Sequence, residues 1–147
     1  MYITTQDIYI LQPKLNNAQT EGAKHTGTVL IVDDASFMRA VLKKIVLQSG
    51  HEVIAEAGNG DEAINQFQQA RPDLVLMDIV MPPGAKAKDG IEALRQIMTS
   101  NPEAKIVMCS SMGQQVLIAD ALKAGAKDFV VKPFQPQKVM EVLSKYC

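Results

Sequence analysis

Six positions in this 147-residue chain carry groups that could do chemistry: the Asp33-Asp34 pair, Asp78, the Ser110-Ser111 pair and Lys132. Each follows directly on a short aliphatic run, VLIV, LVLM, IVMC and FVV in turn. Carboxylates, a hydroxyl and an ammonium together suit phosphoryl transfer. A carboxylate can attack phosphorus to form an acyl phosphate, while a hydroxyl and a cation stabilise the oxygens of the arriving group. Three clustered carboxylates repel, and at neutral pH they raise one another's pKa unless a cation neutralises them. With few oxygen ligands and room for water and a phosphate, Mg²⁺ fits such a cluster better than Ca²⁺, which takes a fuller set of protein oxygens. Asp78 is the expected nucleophile.

Taken singly, these residues have ordinary explanations. Asp34 or Ser36 can cap a helix, as can Ser110 or Ser111. Asp78 is comfortable in a turn, and Lys132 can be a solvated loop lysine. Caps do not explain why acidic groups end two strands expected to be neighbours while a lysine ends another.

That convergence depends on the elements between. Strands are expected over 29–33, 52–56, 74–79, 106–109 and 129–131, rich in Val, Ile and Leu without polar alternation, as in strands buried on both faces of a parallel sheet. Helices are expected over 36–49, stopping at Gly50; 61–70, before Pro72; 90–100, before Pro102; 114–124, before Gly125; and 135–145, with Pro136 in its first turn. Five strands alternating with five helices predict a doubly wound α/β domain with right-handed crossovers. In such a sheet the strand ends share one edge, where ligands bind at the topological switch point.

Composition narrows the function classes. Fifteen Lys plus Arg against sixteen Asp plus Glu leave a net charge of -1, with no basic field for nucleic acid. Cys109 and Cys147 form neither a disulfide framework nor a metal-ligand spacing. No signal peptide and no apolar stretch of membrane-spanning length is read, so a cytoplasmic location without a membrane partner is expected. Residues 1–26, polar around a short apolar patch at Ile8–Leu11, are expected to be an arm ahead of one domain over 27–147.

In order, VLIVDD, LVLMDIVMP, DG, MCSSMG and DFVVKPF resemble the receiver domains of two-component response regulators, most closely the stand-alone chemotaxis regulators. The resemblance implies a flavodoxin-like sheet in the order 2-1-3-4-5, and a signalling protein rather than an enzyme. It implies that Asp78 takes a phosphoryl group from a histidine kinase. Asp34, Asp78 and the Val80 carbonyl match direct Mg²⁺ ligands, and Asp33 a ligand acting through water. Ser110 matches the switch hydroxyl and Lys132 the lysine paired with it. Phe129 matches the aromatic switch, for which a plain core aromatic is the alternative. The implied target is a flagellar motor switch protein.

Two features depart from the family pattern. About four extra residues separate Pro82 from Asp89-Gly90, read as tolerated surface length or as an adjustment of kinase or phosphatase docking. The arm is the second. Val80 and Met112 stand at the two variable positions that influence hydrolytic water. Both are apolar, so slow self-dephosphorylation and a separate phosphatase are expected. The chain ends at Cys147, just past the fifth expected helix, so output by binding from a monomer is expected. The fourth helix, apolar nearly all round, is expected to turn Leu117 or Ile118 outward beside Phe129. The alternative within the fold is a phosphorelay shuttle to a histidine phosphotransfer protein. An aspartate phosphohydrolase is disfavoured because position 80 is Val rather than a second Asp, and an inert module by the complete Asp, Ser and Lys set.

Overall fold

Aliphatic runs such as VLIV, LVLM and IVMC offer no polar face to solvent, so strands built on them are stable only when covered on both sides, whereas the run EVIAEA keeps both its glutamates exposed. In the computed structural model, which describes residues 26–147, they form β1 (Thr28–Val32), β2 (Glu52–Ala57), β3 (Leu74–Asp78), β4 (Ile106–Ser110) and β5 (Asp128–Val131). All pair in parallel, in the order β2-β1-β3-β4-β5. The helices between them are α1 (Ser36–Gln48), α2 (Gly60–Ala70), α3 (Gly90–Ser100), α4 (Gln115–Lys123) and α5 (Pro136–Tyr146). The doubly wound reading holds, with boundaries moved by at most one residue. The expected arm lies, as far as residue 25, outside the described residues.

Successive strand residues point to opposite faces, and the core divides accordingly. Leu30, Val32, Val75, Met77, Ile106 and Met108 pack under Phe67 of α2 and Leu94 and Ile97 of α3. Val29, Ile31, Leu74, Leu76, Val107 and Val130 pack on the other face with α1 and α5. Each fully buried aliphatic side chain contributes roughly 1.5–3 kcal/mol relative to exposure, and that burial holds the strand ends in register.

Helix ends follow the local chemistry. The Asn59 side chain accepts a hydrogen bond from Glu62 N at 2.8 Å, so α2 starts one residue before the expected Asp61. Asp89 caps α3 in the same way through Glu92 N at 2.9 Å. Gly50 past α1 and Gly125 past α4 take φ values of 84° and 113°, the left-handed region that glycine enters without penalty.

The fourth helix corrects an expectation. Leu117 and Ile118 are half-buried against the core, and the outward apolar residues are Val116, 76% exposed, and Leu122, 41% exposed. The buried residue of α4 is Ala121, and positions three and four before it share its face.

Candidate functional site

Because all five strands run the same way, the residues ending β1, β3, β4 and β5 meet at one sheet edge. β1 and β3 are neighbours, so Asp33 and Asp34 come beside Asp78, with one carboxylate oxygen from each of the three within 4.8 Å of the others. Asp33 and Asp78 are buried and Asp34 is exposed. Lys132, just past the edge strand β5, reaches back across the sheet. Its Nζ donates to Asp33 Oδ2 at 2.8 Å and to Asp78 Oδ2 at 3.1 Å, bridging the two buried carboxylates. Lys132 N donates to Ser110 O at 2.7 Å, tying the ends of β4 and β5 together.

The capping explanations fail here. The N-cap of α1 is Ala35, without a side-chain cap, and Asp33 Oδ1 accepts from Ala35 N at 2.9 Å instead. The N-cap of α4 is Gln114, so neither Ser110 nor Ser111 caps it. The Ser110 hydroxyl is fully buried and has no hydrogen-bond partner. An unmade buried hydrogen bond costs about 1–3 kcal/mol, and a conformation that offers Ser110 an acceptor recovers it.

The electrostatics are equally unbalanced. Burial pushes the Asp78 carboxyl above its ordinary value; Lys132 pulls it down, while Asp33 and Asp34 push it further up, and the net shift is upward. Burial alone would lower the Lys132 ammonium, but its bonds to Asp33 and Asp78 more than offset this and hold it above its ordinary value. One ammonium is thus shared by two buried carboxylates, with a third beside them. An edge of that kind has affinity for a hard divalent cation. The carboxylate oxygens, the exposed side at Asp34 and the unpartnered Ser110 hydroxyl suit Mg²⁺ accompanied by an anionic oxygen group.

Comparison with known proteins agrees with this geometry. Residues 29–144 match the response regulator receiver domain. The chain belongs to that family. The chemotaxis protein CheY of Thermotoga maritima is 54% identical over 117 residues, covering 80% of this chain and 94% of that protein. CheY of Bacillus subtilis is 51% identical over the same length, with the same two coverages. Among solved structures, the CheX-CheY-BeF3-Mg²⁺ complex from Borrelia burgdorferi matches with a TM-score of 0.75 at 36% identity, covering 82% of this chain and 90% of that one. This is a CheY-like receiver domain, a signalling module. Among its described residues, no helix is long and apolar enough to cross a membrane.

The remaining expected residues lie around the receiver's acidic edge. Val80, 53% exposed, follows β3, and Met112, 82% exposed, follows β4. Phe129 is half-buried against the core and opposite Met108 in the sheet register. Cys109, the register partner of Asp78, is buried and its thiol is pushed up by that burial, so it is no competing nucleophile. Sequence reasoning missed Arg39, whose Nη1 donates to Asp33 O at 2.6 Å and whose Nε pairs with Glu56 at 3.0 Å, bracing the turn after β1. It also missed Asp61, discussed below.

Proposed function

We propose that this protein is a phosphorylation-activated response regulator that takes a phosphoryl group on Asp78 from the phosphohistidine of a chemotaxis-type sensor kinase and signals to the flagellar motor switch. The observation that carries this reading is the Lys132 bridge between Asp33 and Asp78 beside the unpartnered Ser110 hydroxyl. Mg²⁺ would be held by Asp34, Asp78 and the Val80 carbonyl, with Asp33 acting through water, and would supply positive charge for phosphoryl oxygens.

In transfer, a carboxylate oxygen of Asp78 forms a bond to phosphorus as the bond from phosphorus to the donor nitrogen breaks, and the histidine leaves with that electron pair. The Lys132 ammonium, already directed at Asp78, is placed to pair with the new anionic group. Ser110 gains the acceptor it lacks by donating its hydroxyl proton to a phosphoryl oxygen. As Ser110 moves to the phosphoryl group, Phe129 turns inward. A groove of about 410 Å³, lined in part by Met112, Phe129, Val131 and Phe134, borders this element and offers a surface that changes with the switch. It is the proposed docking face for the target, and Val116 and Leu122 are further exposed apolar residues on α4.

Val80 and Met112 place apolar side chains on the rim, where they offer no hydrogen bond to a hydrolytic water. Self-dephosphorylation is therefore slow and a separate phosphatase ends the signal. The CheX-CheY-BeF3-Mg²⁺ complex from Borrelia burgdorferi supports a protein partner and a Mg²⁺ site for a protein of this kind.

The test is incubation with Mg²⁺ and acetyl phosphate followed by intact mass. A single phosphoryl adduct that requires Mg²⁺ and disappears in Asp78→Asn is the expected result. If neither acetyl phosphate nor a phosphorylated kinase leaves an adduct, the proposal fails.

A further inference from the structure

The connection from β3 to α3 is longer than the family pattern, yet it does not have the structure of surplus surface chain. Its two ends meet: Gly90 N donates to Ile79 O at 2.8 Å, so residues 80–89 form a closed loop of the Ω type. The base of the loop sits on the phosphoacceptor itself. A Cβ on Gly90 would collide with the Asp78 carbonyl oxygen, so only glycine permits this approach.

The crown of the loop is seated on α2. The Asp61 carboxylate accepts from Lys86 N at 3.0 Å and 3.1 Å, one distance to each oxygen, and from Ala87 N at 2.9 Å. Those backbone donors, Ala87 foremost, hold the Asp61 carboxyl below its ordinary value. Gly84 N closes a turn inside the loop by donating to Ala87 O at 2.9 Å. Ala87 is fully buried, opposite Gly60, where a Cβ would come within 2.8 Å of its methyl group. Gln96 of α3 grips the other side, its Nε2 donating to Lys86 O at 2.6 Å. Chain of the composition Pro-Pro-Gly-Ala-Lys has no apolar content to order itself, so these polar anchors fix its path.

We propose that Asp61 is a positioning residue of the acidic site: by clamping the crown of the 80–89 loop it fixes the backbone that leaves Asp78, and so sets how tightly the site holds Mg²⁺. This rests on the phosphoacceptor reading above. Asp61 touches neither the cation nor the phosphoryl group, and acts only through the loop.

Two substitutions test it from opposite sides of the clamp. Asp61→Ala removes the acceptor, and Gly84→Ala puts a methyl group where the Asp61 carboxylate lies without altering α2. Asp61→Asn keeps an oxygen that both N–H groups can use and is the conservative rescue. Three quantities are read on each full-length variant: amide hydrogen exchange at Lys86 and Ala87, Mg²⁺ dissociation constant by calorimetry, and the Mg²⁺ dependence of acetyl phosphate labelling. Asp61→Ala and Gly84→Ala are expected to lose amide protection and to weaken Mg²⁺ binding by about tenfold, the low end for residues that act through a ligand. Labelling at saturating Mg²⁺ stays near wild type, and Asp61→Asn falls in between. Unchanged Mg²⁺ affinity alongside lost amide protection overturns the assignment, as does protection that survives both substitutions. A wild type that binds no Mg²⁺ and takes no phosphoryl group instead overturns the phosphoacceptor reading, and this inference with it.

Discussion

The two edges of the sheet both carry carboxylates and a hydroxyl and put them to opposite use. At the edge where the strands begin, Thr28 and Asp73 satisfy each other. Thr28 N and Oγ1 donate to Asp73 Oδ2 at 2.9 Å and 3.1 Å, while Asp73 N donates back to Thr28 O at 2.9 Å and to Thr28 Oγ1 at 3.0 Å. At the edge where the strands end, Asp33 and Asp78 share one lysine, Asp34 adds a further negative charge, and Ser110 has no partner. One edge fastens β1 to β3 with its carboxylate and hydroxyl both hydrogen-bonded; the other is left incomplete until a cation and an anionic group arrive. The difference separates a residue that stabilises from one that waits for a ligand, and it can be tested edge by edge.

The largest effect should come from breaking the incomplete edge. Lys132→Ala removes the cation facing the incoming phosphoryl group, and labelling by acetyl phosphate at fixed Mg²⁺ should slow by about 10²-fold or more, read from a mass time course. A rate within a factor of two of wild type would mean that the lysine only balances charge in the resting protein.

The converse substitution is Asp73→Ala. Losing the two partly buried hydrogen bonds that the Asp73 carboxylate accepts from Thr28 should lower unfolding free energy by about 1–3 kcal/mol in a urea titration, with labelling of Asp78 unchanged. Slower labelling at full occupancy of the native state would show that the two edges are coupled through β3.

Ser110→Ala should give a smaller change with a telling sign. Deleting a buried hydroxyl that makes no hydrogen bond should raise the stability of the unphosphorylated protein by about 1 kcal/mol while weakening the response to phosphorylation. A loss of stability would reveal a partner for the hydroxyl, and the contrast between the edges would weaken.

Much of this was legible in the sequence because strand ends are easy to read. Once Val29–Val32 and Leu74–Met77 are taken as buried parallel strands, the positions of Asp33, Asp34 and Asp78 follow from chain direction alone. Lys132 and Ser110 follow in the same way. What was not legible depends on side chains meeting across elements distant in sequence. Asp61 reads as an ordinary first-turn helix acid, and nothing in its local pattern says that it grips Lys86 and Ala87 twenty-five and twenty-six residues later. Arg39 reads as a solvated helical charge until its contact with the Asp33 carbonyl is seen. On α4 composition marked an apolar helix, but only the packing of Ala121 decided which apolar residues face out.

The finest comparison isolates the Asp78 carboxyl itself. Its pKa lies above the ordinary value of 3.8, with burial the leading cause, so the folded state binds this proton more tightly than the unfolded chain. Stability contributed by that proton is fully present below 3.8 and is lost as pH rises through the raised folded value. Asp78→Asn does not titrate there, so subtracting the two unfolding free energies cancels the other carboxylates. The mutant's advantage over wild type should be smallest below 3.8, grow as pH rises through the raised folded value and level off above it. Added Mg²⁺ binds the folded wild type and should shrink or reverse that advantage at neutral pH, while leaving it unaltered in acid where the carboxyl is protonated. A flat difference without metal would mean that Lys132 neutralises Asp78 completely, and the edge would then be as self-sufficient as the one formed by Thr28 and Asp73.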